Sequence, residues 1–312
     1  MSEIAAVKAH VSSPRADLRE QAVAFAGLLL AAVLFGGYFV AGRHGALMGL
    51  LPADLVSLRY IGSGLLFAPF VFSRGIGDLG GVGWLRGTVL TFCAGAPYAL
   101  IILLGLHFAP AAHGAVLNPS LTPISGILLS RLILGDRIPR GAYIGIPITF
   151  FGLILVAGAA FWSTGPNVWL GDAILVCSGT CYGLFTVVLR RWQITAVSAV
   201  AAMNVLSTLL WIPAYGILTG FKPLFAAPGG EVIGQILFQG VLAGGLAVVL
   251  YVRAIPVLGA SRTSMFPALT PVFGTLLAAL VLDEHVSALQ MAGIATVVLG
   301  MLAALWRPRA TA

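Results

Sequence analysis

The sequence predicts an all-α integral membrane protein of ten transmembrane helices, arranged as two inverted five-helix repeats around a central cavity. Three observations predict it: an apolar composition, ten apolar runs of spanning length, and a self-similarity at an offset of 148 residues. Of 312 residues, 59% are hydrophobic and 9% charged, and mean hydropathy is +1.03. An ordinary soluble domain is roughly a quarter charged. The 27 charged side chains here cannot cover the surface of a water-soluble fold of this length, so the bilayer is the expected solvent.

The apolar runs span 22–42, 53–73, 84–106, 111–134, 141–162, 168–189, 197–219, 232–255, 259–282 and 286–306. Each can cross ~30 Å of hydrocarbon, and Gly, Pro, Asp or Arg punctuate the short turns between them. Residues 1–21 hold Lys8, Arg15, Asp17, Arg19 and Glu20 without an apolar run, which predicts a polar cytoplasmic tail and no cleavable signal peptide. Residues 22–162 form the first five-helix unit, 168–306 the second, and 307–312 a second cytoplasmic tail. With both termini in the cytoplasm, 14 of the 17 Lys and Arg residues fall inside, and only Arg43, Arg59 and Lys222 fall outside. That bias sets the orientation. The net charge of +7 is therefore a topology signal, and no nucleic-acid partner is expected. Cys93, Cys177 and Cys181 are odd in number and lie within apolar runs, so neither a disulfide framework nor a metal site is indicated. No cofactor is expected.

At the 148-residue offset, Pro119-Ser-Leu-Thr-Pro123 aligns with Pro267-Ala-Leu-Thr-Pro271, and Gly126, Gly145 and Gly152 align with Gly274, Gly293 and Gly300. Phe35, Gly36 and Arg43 meet Tyr182, Gly183 and Arg190 at a similar offset. Five spans is an odd number, so the second copy must cross the bilayer in the opposite sense. The loops agree with this. Gly135-Asp136-Arg137 is flanked by Arg131 and Arg140, whereas Asp283-Glu284-His285 has no Arg. Inverted repeats meeting at mid-depth point to a transporter, because exchanging the conformations of two similar halves turns an inward-open cavity outward.

Prolines within a span remove amide donors and clash with upstream carbonyls, so Pro119, Pro123, Pro267 and Pro271 predict bends in spans four and nine. A fixed kink and a moving hinge both fit a single such pair. Its recurrence in both halves favours the hinge, with Arg59 at the gate. Thr122 and Thr270 can rebond freed carbonyls. All ten acids lie in the tail, in loops or within about a turn of a span end, which disfavours an ion-coupling carboxylate at mid-depth. Lys and Arg are also absent from mid-depth. Arg59, the nearest exception, can snorkel outward, pair with Asp54 or meet a substrate carboxylate. His107 and His113 flank the turn between spans three and four, where a hydrogen-bonded interfacial role is expected. The candidate substrate site is uncharged: Tyr38, Tyr98, Asn118, Tyr182, Gln239 and Ser264, with Phe35, Phe92, Phe238 and Met265 nearby. Such a lining suits small zwitterionic or neutral molecules.

The sequence resembles the drug/metabolite transporter superfamily, in its EamA-type branch of ten-span exporters, and within it the aromatic and neutral amino acid exporters of bacteria (YddG-like). Phe35-Gly-Gly-Tyr38, Leu58-Arg-Tyr60, Asn118 through Pro123 with Leu134-Gly-Asp136, and Pro267 through Pro271 with Leu282-Asp-Glu284 carry the resemblance. It covers nearly the whole chain. It implies a basket of helices around a central cavity in the bacterial inner membrane that exports amino acids or related metabolites; the repeats add alternating access and the missing mid-depth carboxylate adds facilitated diffusion, with monomer and dimer both open. Proton-coupled drug or metabolite efflux is the alternative. A membrane-embedded enzyme or a passive channel are rivals of other classes, but GxSxG, HExxH and GxxxxGK[ST] are all missing.

Overall fold

The computed structural model describes residues 18–163, 167–258, 263 and 266–305. Among them all regular structure is helical: α1 (Leu18–Leu47), α2 (Pro52–Arg74), α3 (Trp84–Ala94), α4 (Ala96–Phe108), α5 (Ala111–Leu134), α6 (Arg140–Ser163), α7 (Val168–Trp192), α8 (Ala196–Thr219), α9 (Lys222–Ala226), α10 (Gly229–Gln235), a π-helical stretch (Ile236–Leu246), α11 (Ala247–Leu258), α12 (Thr270–Leu282) and α13 (Ala288–Leu305). Among the described residues seven helical stretches are long and apolar enough to cross a membrane, and three shorter apolar ones lie at 140–156, 266–282 and 288–304. The chain is a multi-pass membrane protein.

Local chemistry sets the breaks. The expected third span divides at Gly95 (φ −90°, ψ −144°) into α3 and α4, with Pro97 in the first turn of α4. The amide freed there, Ala96 N, donates to the Ser207 hydroxyl at 3.0 Å. Pro119 and Pro123 lie inside one helix, α5, where Thr122 donates to the Asn118 carbonyl at 2.9 Å. The second PxLTP segment differs: Pro267 sits in a 3-10 turn over Phe266–Leu269, and Pro271 in the first turn of α12. Prolines suit that position because the first turn needs no upstream donor.

Despite this difference the two segments end alike. Gly135 (φ 73°) closes α5 and Asp283 (φ 52°) closes α12, both left-handed, with their amides on Ser130 O and Ala278 O, 148 residues apart. The next amides, of Asp136 and Glu284, reach the same two carbonyls. Packing repeats too. A Cβ on Gly36 would lie 2.6 Å from Gly274 N, and one on Gly183 would lie 2.9 Å from Gly126 N, so α1 meets α12 as α7 meets α5, backbone to backbone. Finally, Gly145 packs on Gly300 and Ala304 while Gly152 packs on Gly293 and Val297. That order makes α6 and α13 antiparallel.

Candidate functional site

Arg59 lies seven residues into α2, and the glycines around it set its surroundings. A Cβ on Gly240 would meet Arg59 O and Gly62 Cα at 2.7 Å, so the π stretch lies backbone to backbone on α2. This brings the Gln239 carbonyl within 3.4 Å of Arg59 Nη1. The guanidinium carbon stands 4.6 Å from the Tyr38 ring centroid and 5.8 Å from that of Tyr60, a cation–π arrangement. Arg59 therefore points into the protein. Asp54 is not its partner: that carboxylate accepts from Leu51 N at 2.8 Å and from the Tyr215 hydroxyl. The surroundings of Tyr38 and Gln239 thus include a guanidinium.

A second group of side chains adjoins the first. Asn118, just ahead of Pro119, donates to Ser178 Oγ at 2.7 Å and to Tyr98 Oη at 3.2 Å. The Tyr98 and Tyr182 rings lie 5.4 Å apart, and Tyr182 and Phe185 lie 5.2 Å apart. Tyr98 is within electrostatic reach of Tyr38 and Arg59, and Tyr182 of Arg59. The break at Gly95 places Tyr98 at the start of α4. The Ser178 and Tyr182 spacing puts both on one face of α7.

Polar side chains lead into this cluster from the end of the bundle where α1 finishes. His44 Nδ1 lies 3.3 Å from Glu231 Oε1, which accepts from Gln235 Nε2 at 2.8 Å; Gln239 then donates to Gln235 Oε1. Within the cluster Tyr38 Oη, Arg59 Nε, Tyr60 Oη and Gln239 Oε1 are buried without a hydrogen-bond partner among the described residues. Buried polar groups are normally satisfied, so four such atoms together set this cluster apart from the rest of the interior. A recess of about 710 Å³ lies elsewhere, between the start of α1 and α11, lined by Arg19, Glu20 and Arg253 among others.

The two ends of α5 carry different ties. At its start, Glu284 accepts from the amides of Ala111 and Ala112 at 2.9 and 3.2 Å, an anion on a helix N-terminus. His113, fully buried, meets Asp172 Oδ1 through Nδ1 at 2.8 Å, and Gln290 Nε2 lies 3.3 Å from its Nε2. This histidine, in the first turn of α5, thus bridges α5, α7 and α13, hydrogen-bonded as expected but packed wholly inside the protein. Arg43 donates to the Leu106 and His107 carbonyls at 3.0 Å at the same end. Beyond the other end of α5, Asp136 pairs with Arg190 and Ser130. The Ser130 hydroxyl first, and the Arg190 guanidinium with it, hold the Asp136 carboxyl below its usual range.

The structure therefore gathers Tyr38, Arg59, Tyr98, Asn118, Tyr182 and Gln239 into one cluster drawn from α1, α2, α4, α5, α7 and the π stretch. Ser264 and Met265 lie outside the described residues. Phe92 is 65% exposed on α3, away from the cluster. Tyr60, Ser178 and Gln235 belong to the cluster; Ser178 and Gln235 escaped the sequence reading, and Tyr60 entered it only within the Leu58-Arg-Tyr60 motif. Their signals were adjacency to Arg59 and a four-residue spacing from Tyr182 and Gln239.

Comparison with known proteins places this geometry in a family. The model of the EamA-like transporter family matches twice, over residues 23–158 and 169–306. An uncharacterized transporter of Bacillus subtilis, YyaM, is 28% identical over 65% of this chain and 67% of its own length. An uncharacterized transporter of Archaeoglobus fulgidus is 24% identical over 88% of this chain and 95% of its own. One solved crystal structure of a protein superimposes with a TM-score of 0.61 at 19% identity, covering 94% of this chain and 98% of that one, a likeness of fold. The chain belongs to the EamA-like transporter family.

Proposed function

We propose that this EamA-family transporter exports aromatic and other neutral amino acids, or closely related small metabolites, by alternating access between two inverted halves. The observation that carries the reading is the mid-depth cluster of Tyr38, Arg59, Tyr98, Asn118, Tyr182 and Gln239, to which both matched stretches contribute and in which no carboxylate takes part. Aromatic faces accept a ring or alkyl group, and hydroxyl and amide groups accept the polar ends of a zwitterion.

Four features support inversion. The αL caps at Gly135 and Asp283 repeat. So do the Gly36–Gly274 and Gly183–Gly126 crossings, and the equivalent helices α6 and α13 run antiparallel. Asp136 and Glu284 lie beyond opposite ends of α5, a 24-residue helix about 36 Å long. We place the termini and Asp136 in the cytoplasm of a bacterial-type inner membrane from the distribution of Lys and Arg.

Radiolabelled phenylalanine efflux from proteoliposomes tests the reading. Saturable flux and counterflow are expected, reduced at least tenfold by Tyr38→Ala or Tyr182→Ala. Undiminished flux in both variants removes the cluster from the substrate path, and flux without counterflow means a channel. The buried His113–Asp172 pair favours a second reading, proton-coupled export. Substrate accumulation driven by a pH gradient would select it.

A further inference from the structure

We infer that Arg59 is the anion receptor of the central cluster: cargo is recognised through a carboxylate, and amines lacking one are rejected. This rests on the export reading above for the location of the site and goes beyond it in assigning charge selectivity.

A guanidinium offers five N–H donors in a rigid fork. Among the described residues Arg59 donates to the Gln239 carbonyl at 3.4 Å, a long contact, and lies within hydrogen-bond reach of the Tyr60 hydroxyl, while its Nε has no partner. Every other arginine that the structure ties to a carboxylate or a helix-end carbonyl lies near an end of the bundle, as Arg43 and Arg190 do. Among the described residues Arg59 forms no ion pair; the nearest acid along its own helix, Asp54, is held by Leu51 N and Tyr215. An interior cation without a counter-ion is costly. The two tyrosine rings offset part of that cost through their faces, but they supply no negative charge.

What the site lacks, a substrate carboxylate supplies. Its two oxygens suit the free edge of the fork, and Tyr38 Oη, 93% buried by residue and unpartnered, adds a donor within the same group. Gln239 Oε1, an acceptor without a donor, is placed for an ammonium or hydroxyl on the same cargo. Because Arg59 carries a fixed positive charge, a compound with an amine and no acid meets repulsion there. A des-amino acid keeps the principal contact and loses only the Gln239 one.

The test is thermal unfolding of the purified protein in detergent, with L-phenylalanine, 3-phenylpropionate or 2-phenylethylamine at millimolar concentration. Both carboxylates are expected to raise the unfolding temperature by about 2–4 °C, and the amine to leave it unchanged. In Arg59→Gln the carboxylate shifts disappear. In Arg59→Lys they persist at roughly tenfold weaker affinity, since lysine keeps the charge and loses the fork. Stabilisation by the amine equal to that by the acid, absence of any carboxylate effect on the wild type, or retention of the shift in Arg59→Gln each overturns the inference. The wild-type panel decides even if a variant fails to fold. Carboxylate binding without phenylalanine transport would sink the export reading and leave Arg59 standing as an anion receptor; transport with no preference for the carboxylate would do the reverse.

Discussion

The two ends of α5 hold the same helix by different physics. At its start the ties are buried or half-buried: fully buried His113 between Asp172 and Gln290, and half-buried Glu284 on two backbone amides. At its finish the tie is an ion pair between Asp136 and Arg190, with side chains 31% and 62% exposed. Exposed pairs are screened and contribute little, whereas removing one member of a buried hydrogen-bonded set leaves the rest unsatisfied. The contrast implies that the Asp136 end separates more readily, and that the structure is locked at the Glu284 end. Under the alternating access proposed above, the resting conformation would be set by which end is harder to open.

His113→Ala should break the hard end most severely. It strands Asp172 and Gln290 in the interior and is expected to cost about 3 kcal/mol, seen as a fall of several degrees in the unfolding temperature by size-exclusion thermostability. A variant as stable as wild type would show that the buried set holds nothing. Glu284→Ala removes a helix-terminal anion and two charge-assisted hydrogen bonds, an effect of about 1 kcal/mol, with faster labelling of a thiol placed beside Ala112. Raising salt to 1 M should loosen the Asp136 end and spare the His113 end, which is read as increased reactivity of a thiol at position 137 and none at position 112.

The smallest effect is expected for Asp136→Asn, which should reproduce the high-salt behaviour and leave nothing further for salt to do. The pH dependence has a definite sign. Because its partners hold the folded carboxyl below the ordinary value, the contact stabilises the folded state above the unfolded value and is lost as pH falls through the lowered folded one. Neutral-pH variation should therefore leave the Asp136–Arg190 tie intact, and only strong acid should release it. Loosening between pH 8 and pH 6 would assign the response to another group.

Much of this organisation was legible in the residues. Apolar runs gave the helices, and the PxLTP pair at a fixed offset gave the duplication, because helix crossings and caps depend on local residues such as Gly36, Gly274 and Gly135. Five of the six proposed substrate contacts came from listing uncharged polar residues in apolar spans, and they meet in one cluster. What stayed hidden depended on partners remote in sequence. His113 meets Asp172 and Gln290, 59 and 177 residues away, and nothing local announces either partner. Arg59 looked able to snorkel because its distance from the helix end says nothing of its direction. The Gly240 contact with Gly62 aims it inward, and no periodicity announces the π stretch that carries Gly240.

Side-specific thiol labelling tests inversion most directly. Arg137→Cys and Asp283→Cys, each in a cysteine-free chain, flank the two equivalent carboxylates without replacing them. The account predicts that an impermeant maleimide added to intact cells labels position 283 alone, and that position 137 reacts only once the cytoplasmic face is exposed in inverted vesicles. Labelling of both positions from the same side would contradict it.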